Sequence, residues 1–445
     1  MKTNSTRATA GPSSTRVARP EVRFEGGVMT AYGGAGLLRT WLEKLGLREQ
    51  LAPIAGPGEG RKYRTADYLM GLVSGALLGC GRQSEIAALG QDPGALMALG
   101  LPGMFSQPSL SRFLKGCRKS TAEHVLGINR RLLQWLRGNY VTATIDLDGE
   151  VISTRGHPRR ATRGYNPKRR GAKSYFGMFG FLAEGRDILT ADLRPGKEAS
   201  VSARGAIALY EQSRRSLPPG LRQVRLRADA AFASEAFFAR LEADKVTYCV
   251  AAPTPGPVKR AVAGLKYRRL DRKWAIAEFA YQGGPWTRAR RLVVIRERLD
   301  PIDPPSKQLK LLDCPGYGYQ VIVTNSDWRA EKVWRFYNGR CRLENILKET
   351  QTDFGGDHVL AHGYGGNALW LAVTVLAYNL MNWFREKVLD QRGHRHTAGW
   401  LRRVLIAIPA RLVHTARRWV LKVWRGHPSR ALFDRASQRL AVLRL

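Results

Sequence analysis

The stretch VTATIDLDGE (141–150) alternates without a break. Val141, Ala143, Ile145 and Leu147 fall on one side, and Thr142, Thr144, Asp146 and Asp148 on the other. A period of two belongs to a half-buried strand, so two carboxylates share the polar face of a single strand. A carboxylate near a strand centre is too costly to bury unless cations offset its lost hydration. The chain on either side must therefore build a charged cleft around this strand. A basic, glycine-bearing loop follows, RGHPRRATRGYNPKRRGAKS, then an apolar run from Tyr175 to Leu182, a turn at Glu184–Gly185–Arg186 and a third strand, Ile188 to Leu193. A helix over 198–213, a short strand from Val224 to Leu226 ending towards Asp229, the helix SEAFFARLEA and the strand KVTYCVAA complete an alternating α/β core.

The residues before this core read as helical. Leu37 to Leu51 carries Leu38, Trp41, Leu42 and Leu45 on one side, TADYLMGLVSGALLG and RQSEIAALG follow, and SQPSLSRFLKGC opens a short helix with Ser106 or Ser109 as cap. A longer helix spans Ala122 to Leu136. After the core, 251–319 breaks the rhythm with Pro- and Gly-rich turns and short strands, AIAEFAY and ARRLVVIRERL. YQVIVTN returns to the core and leads into Tyr337–Gln351, which reads as one helix with Arg340, Glu344 and Lys348 on a common face and Tyr337 and Gln351 close to it. The segment 369–384 is apolar but interrupted by Thr374, Asn379 and Asn382, and fits a buried helix better than a membrane span. The basic tail holds one late strand in RWVLKV.

A formal charge of +37, from 73 Lys and Arg against 36 Asp and Glu, implies a polyanionic partner. Residues 1–20 read as a disordered basic tail, not a signal peptide. Cys80, Cys117, Cys249, Cys314 and Cys341 form no CxxC pair, which argues against a zinc ribbon or a disulfide scaffold and for a reducing cytoplasm. His358 and His362 stand four apart beside Asp357, but the surrounding glycines disfavour a helical metal site there.

Asp229 closes an apolar strand, where ligand sites form in open α/β sheets, and Glu344 offers a third carboxylate from a helix. Three such groups suit Mg²⁺, with Mn²⁺ as a substitute, in a two-ion arrangement about 4 Å apart that activates water or a 3′-hydroxyl.

The ordered set resembles the DDE transposases of bacterial insertion sequences, in the subgroup with a Tyr-x2-Arg-x3-Glu-x6-Lys signature and a β-rich insertion before the catalytic Glu. Tyr337, Arg340 and Glu344 match in type and spacing; Gln351 stands where Lys is usual, and Lys348 lies one turn closer. In LDGE the resemblance places the first catalytic Asp on Asp148, with Glu150 in place of Thr and Asp146 in reserve. Asp229–Ala230–Ala231–Phe232 keeps only the ends of the second motif. The resemblance implies an RNase H-like mixed-sheet catalytic core over 139–250 and 320–425, a helical DNA-binding or accessory region over 21–138, the insertion at 251–319 and a basic segment at 426–445. It implies hydrolysis at transposon ends held by Asp148, Asp229 and Glu344 with metal, then strand transfer by the freed 3′-hydroxyl into target DNA, in a nucleoid-associated cytoplasmic protein with no membrane partner. Lys168, Arg169, Arg170 and Lys173 in the basic loop, with Tyr337, Arg340, Lys348 and Gln351, are the expected contacts to double-stranded DNA. Trp286 either stacks on an unpaired base or anchors a small β core. The altered positions Glu150, Ala230 and Gln351 leave open a catalytically impaired DNA-binding descendant, and an RNase H-like nuclease acting on RNA is a third reading. Separated basic surfaces in a strongly charged chain predict a monomer that pairs only on DNA.

Overall fold

The computed structural model describes residues 26–57, 62–167, 169–198, 202–299, 316–389 and 396–445. The basic tail at 1–20, Lys168 and Cys314 lie outside them. The strands are β1 (Val28–Thr30), β2 (Thr142–Ser153), β3 (Thr162–Arg163), β4 (Lys173–Leu182), β5 (Asp187–Pro195), β6 (Gln223–Ala228), β7 (Thr247–Ala251), β8 (Arg268–Arg269), β9 (Trp274–Tyr281), β10 (Arg290–Arg298), β11 (Tyr317–Thr324), β12 (Ala410–Thr415) and β13 (Arg418–Val423).

One ten-stranded mixed sheet runs β3-β4-β2-β6-β7-β11-β10-β9-β8, with β5 paired to β4. β2, β6 and β7 are parallel, and β4 and β5 fold back antiparallel beside them. The strands expected between 251 and 319 do not form a separate β unit. β11 pairs antiparallel with β7 and with β10, so the hairpin β9–β10 prolongs the same sheet. A helix, Gly256–Ala263, also lies in this stretch, seeded by the Pro at its start.

The helices before β2 match the sequence periodicity, with one correction. The expected helix over 37–51 divides at Gly46, whose φ of 58° is left-handed, into Ala35–Lys44 and Leu47–Leu51. The apolar segment belongs to a 25-residue helix, Tyr364–Val388, buried among Thr65–Leu78, Lys119–Leu136 and β5. Its asparagines have structural partners. Asn379 donates to the Ile188 carbonyl (2.8 Å) and to Asn129 Oδ1 (2.7 Å), and accepts from the Ile188 amide (2.9 Å). Asn382 and Trp383 donate to Asp187 Oδ1 at 2.8 and 2.9 Å, and Arg137 Nε reaches Asp187 Oδ2 at 2.7 Å. Asp187 is completely buried, and this ring of donors offsets its desolvation. Among the described residues no helix is long and apolar enough to cross a membrane.

The strand expected in RWVLKV is half of a hairpin. β12 pairs with β13 and, on its other side, with β1, so the end of the chain is joined to the N-terminal region in a three-stranded sheet. A last helix, Arg430–Val442, was not legible in the basic composition of that segment; it packs against Ala35–Lys44, where Lys44 Nζ donates to the Leu443 carbonyl at 2.9 Å.

Candidate active site

The site grows from the parallel register of β2 and β6. Asp146 lies opposite Arg227 and Leu147 opposite Ala228, so one further step sets Asp148 beside Asp229. Asp229 leaves the sheet there and accepts from the Ala231 amide at 3.0 Å, capping the single turn Ala230–Phe232. Its strand-end position is the one anticipated from the apolar run before it.

Asp146 and Asp148 share a face, yet their environments differ. Asp146 is buried and gripped by Arg227 through two hydrogen bonds, Nε to Oδ1 at 2.5 Å and Nη2 to Oδ2 at 2.6 Å. Arg227 also donates Nη1 to the Phe336 carbonyl at 2.7 Å. Both carboxylate oxygens are thus committed to a fork-on-fork pair, which makes Asp146 a structural partner and leaves the reserve role unsupported. Arg227 was missed in the sequence. Its signal was present in VRLRA, where the alternation sets Arg225 and Arg227 on one side of β6.

Asp148 accepts from Arg340 Nη2 at 2.8 Å and from the Gly149 amide at 2.9 Å. Burial pushes its carboxyl up to about 6, the charges of Asp229 and Glu150 push the same way, and Arg340 and the Gly149 amide only partly restrain it. Burial likewise pushes the Tyr337 phenol up to about 12, again with Asp229 and Asp148 adding to the effect. Tyr337 is therefore a buried phenol that keeps its proton in the field of the two aspartates. Arg340 is held protonated: burial opposes its charge, but Asp148, Tyr337, Asp229 and Asp146 outweigh it.

Tyr337–Gln351 stays right-handed helical throughout but is not one uniform α-helix. Ala330–Asn338 ends, a tight turn covers Gly339–Cys341, and a new helix runs from Arg342 to Phe354. Gly339 admits a close approach, because a Cβ there would stand 2.2 Å from Arg227 Nη1. Arg340 reaches Asp148 from this turn. Glu344 sits exposed in the first turn of the second helix. Among the described residues no group of three His, Cys, Asp or Glu side chains is close enough to hold one metal ion. Asp148 and Asp229 offer the hard oxygen donors a divalent cation requires, and their mutual repulsion is the kind a cation relieves. In the present arrangement the Arg340 guanidinium supplies that positive charge.

The expected DNA contacts divide among different places. Lys348 lines a cleft of about 430 Å³ with Arg186, Arg342 and Arg385, away from the aspartates, and Gln351 is half-buried. Arg169 and Lys173 line a cleft of about 520 Å³ with Arg155, His157 and Arg163, while Arg170 is exposed. Arg155 and Arg169 also line a neighbouring cleft of about 1000 Å³ that reaches Arg82 and His358. His358 Nδ1 bonds the Gly81 carbonyl at 2.7 Å, and the His362 carbonyl accepts from the Arg159 amide at 2.8 Å. Trp286 packs edge-on against Phe238 and Tyr281 with the Arg290 guanidinium over its ring. These contacts fit its anchoring role better than base stacking.

The chain matches the family Transposase DDE domain group 1 over residues 14–445. No curated protein matches it. Among solved structures it is similar to a cryo-EM structure of a piggyBac transposase synaptic complex with hairpin DNA, with a TM-score of 0.48, 11% identity, and coverage of 84% of this chain and 77% of that one.

Proposed function

From the premise that the chain belongs to the transposase DDE domain group 1 family, with its mixed α/β RNase H-like fold and its general role in DNA transposition through phosphodiester hydrolysis, we propose that this protein cleaves DNA at transposon ends and joins the freed 3′-hydroxyl to target DNA. The observation that carries this reading is the meeting of Asp148 and Asp229 at the ends of two parallel strands, with Arg340 and Tyr337 beside them. In this reading Asp148 and Asp229 hold Mg²⁺ or Mn²⁺, with Glu344 as third ligand once DNA is bound. The ion, when present, lowers the pKa of a bound water or hydroxyl and neutralises phosphate charge. Tyr337 donates its hydroxyl proton to a phosphate oxygen. Arg340 neutralises a second one, so that charge developing on the phosphate meets fixed donors. The basic loop with Arg169, Arg170 and Lys173 holds the backbone beside the site, and 139–250 with 320–425 act as the catalytic unit. The test is Mg²⁺-dependent nicking of duplex DNA carrying the ends of the protein's own element. Asp148→Asn, Asp229→Asn and Glu344→Gln should each abolish nicking and leave DNA binding in place. Nicking that survives Asp229→Asn would defeat the assignment.

A second reading has its own support. Glu344 is exposed and completes no metal-sized group with the aspartate pair among the described residues, and Glu150, Ala230 and Gln351 depart from the signature. On that reading the chain binds transposon DNA without cutting it. Stable binding of paired ends with no cleavage in Mg²⁺ or Mn²⁺ would decide in its favour.

A further inference from the structure

The hairpin β12–β13 has a surface that the carboxylate site does not use. No Asp or Glu occurs from 391 to 433. The register places Arg411 directly opposite Lys422 and Thr415 opposite Arg418. Alternation then puts Arg411, Lys422 and Arg418 on one face, around Val413 and Val420, while Ala410, Leu412 and Leu421 turn to the other. Like charges facing each other across a ladder weaken a hairpin. Among the described residues none of Arg411, Arg417, Arg418 and Lys422 has a carboxylate partner. The turn is locally unfavourable as well. Ala416 and Arg417 have φ of 47° and 60°, which is the type I′ geometry normally given to Asn or Gly. Near the tip the His414 and Trp419 rings meet across the strands at 4.8 Å with their planes tilted by 51°, Trp419 still 56% exposed, and Trp424, just past the other end of β13, is 69% exposed. Two departures from what a hairpin's own stability favours thus meet on one cationic, exposed hairpin. A site that is locally strained and also exposed points to use by a partner.

The geometry points to this ribbon as a docking element for duplex DNA, separate from the aspartate site, with Arg411, Arg418 and Lys422 against backbone phosphates and Arg417 at the leading tip. The inference rests on the reading that the substrate is DNA. Beyond the three residues paired with β1 the hairpin is two-stranded, over 413–420; a ribbon of that width fits the major groove, and phosphates neutralise the Arg411–Lys422 repulsion that the fold leaves in place. A second copy of the chain fits less well. β13 is one edge of its sheet, and the cations on that strand repel an identical edge.

The test uses the full chain carrying Asp148→Asn, without metal, so that catalysis does not enter. The probe is a fluorescent 30-base-pair duplex of arbitrary sequence, titrated at several salt concentrations. The triple variant Arg411→Gln, Arg418→Gln, Lys422→Gln should flatten the slope of log K against log salt by about 2.7, at about 0.9 per lost phosphate contact. Its melting temperature should hold or rise, because the cross-strand repulsion is gone. Arg417→Gly should raise the melting temperature and weaken binding, while Ala416→Gly should raise it and leave binding unchanged. An unchanged slope in the triple variant, with the parent still binding duplex, overturns the hairpin assignment alone. Absence of duplex binding by the parent overturns the DNA reading and this one with it. A triple variant altered only in its light-scattering mass would make β13 a contact between copies. Tighter binding of oligothymidylate than of duplex, lost in the triple variant, would reject the duplex assignment.

Discussion

Replacing Asp148 by Asn should stabilise this protein while destroying its nicking activity. Asn keeps an oxygen for the Arg340 and Gly149 donors and removes the charge that burial and Asp229 oppose. The carboxyl stands at about 6 against an ordinary 3.8. The gap of about two units corresponds to about 3 kcal/mol, at about 1.36 kcal/mol per unit. Because the folded-state value is the higher one, folding takes up a proton between pH 4 and 6. Below about pH 4 the carboxyl is neutral in both states and the penalty is absent. Above about pH 6 it is charged in both states, and the folded protein bears the full penalty. Denaturant titrations of parent and variant in EDTA, from pH 4 to pH 8, measure this directly. The two stabilities should converge near pH 4 and separate with rising pH, the variant becoming more stable by about 2 to 3 kcal/mol above pH 7. Saturating Mg²⁺ should narrow the gap, because a bound cation lifts the penalty only from the parent. A variant less stable than its parent at pH 7.5, or a difference that does not change with pH, would show that Asp148 serves chiefly as a stabilising partner of Arg340, and the strained-charge argument would fail.

Arg227→Met should cost about 3 to 5 kcal/mol in denaturant titration, since it leaves Asp146 buried without its partner; a cost below about 1 kcal/mol would mean that Asp146 is already neutral. Gly339→Ala forces a methyl against an Arg227 guanidinium held by Asp146 and the Phe336 carbonyl. It should destabilise by about 1 to 3 kcal/mol and slow nicking through the displaced Arg340, and an unaltered melting temperature would show that the turn relaxes freely. The free protein should scatter light as a monomer and pair only on end-bearing DNA, because its +37 charge opposes association until DNA screens it; a stable DNA-free dimer would refute that argument.

Much of this molecule was legible locally. The alternation around Ile145 and Leu147, the apolar run ending at Asp229, the turn at Glu184–Gly185–Arg186 and the buried helix around 369–384 are patterns of which face meets apolar surroundings, and a chain carries that information residue by residue. What a buried face meets is not written there. Asp146 and Asp148 look equivalent in TIDLDGE; only the parallel register of β2 with β6 gives one of them Arg227 and the other Asp229. Asn379 and Asn382 read as interruptions until Asn129, Ile188 and Asp187 arrive from distant segments to satisfy them. The close approach at Gly339 depends on a guanidinium more than a hundred positions earlier in the chain, which the helical spacing of Arg340, Glu344 and Lys348 could not announce. The hairpin β12–β13 acquired its partner β1 from the opposite end of the described chain. Composition and period decided most of the elements, though not the helices Gly256–Ala263 and Arg430–Val442. Strand register and the pairing of buried charges decided which carboxylates meet, because both depend on neighbours that only the folded chain brings together.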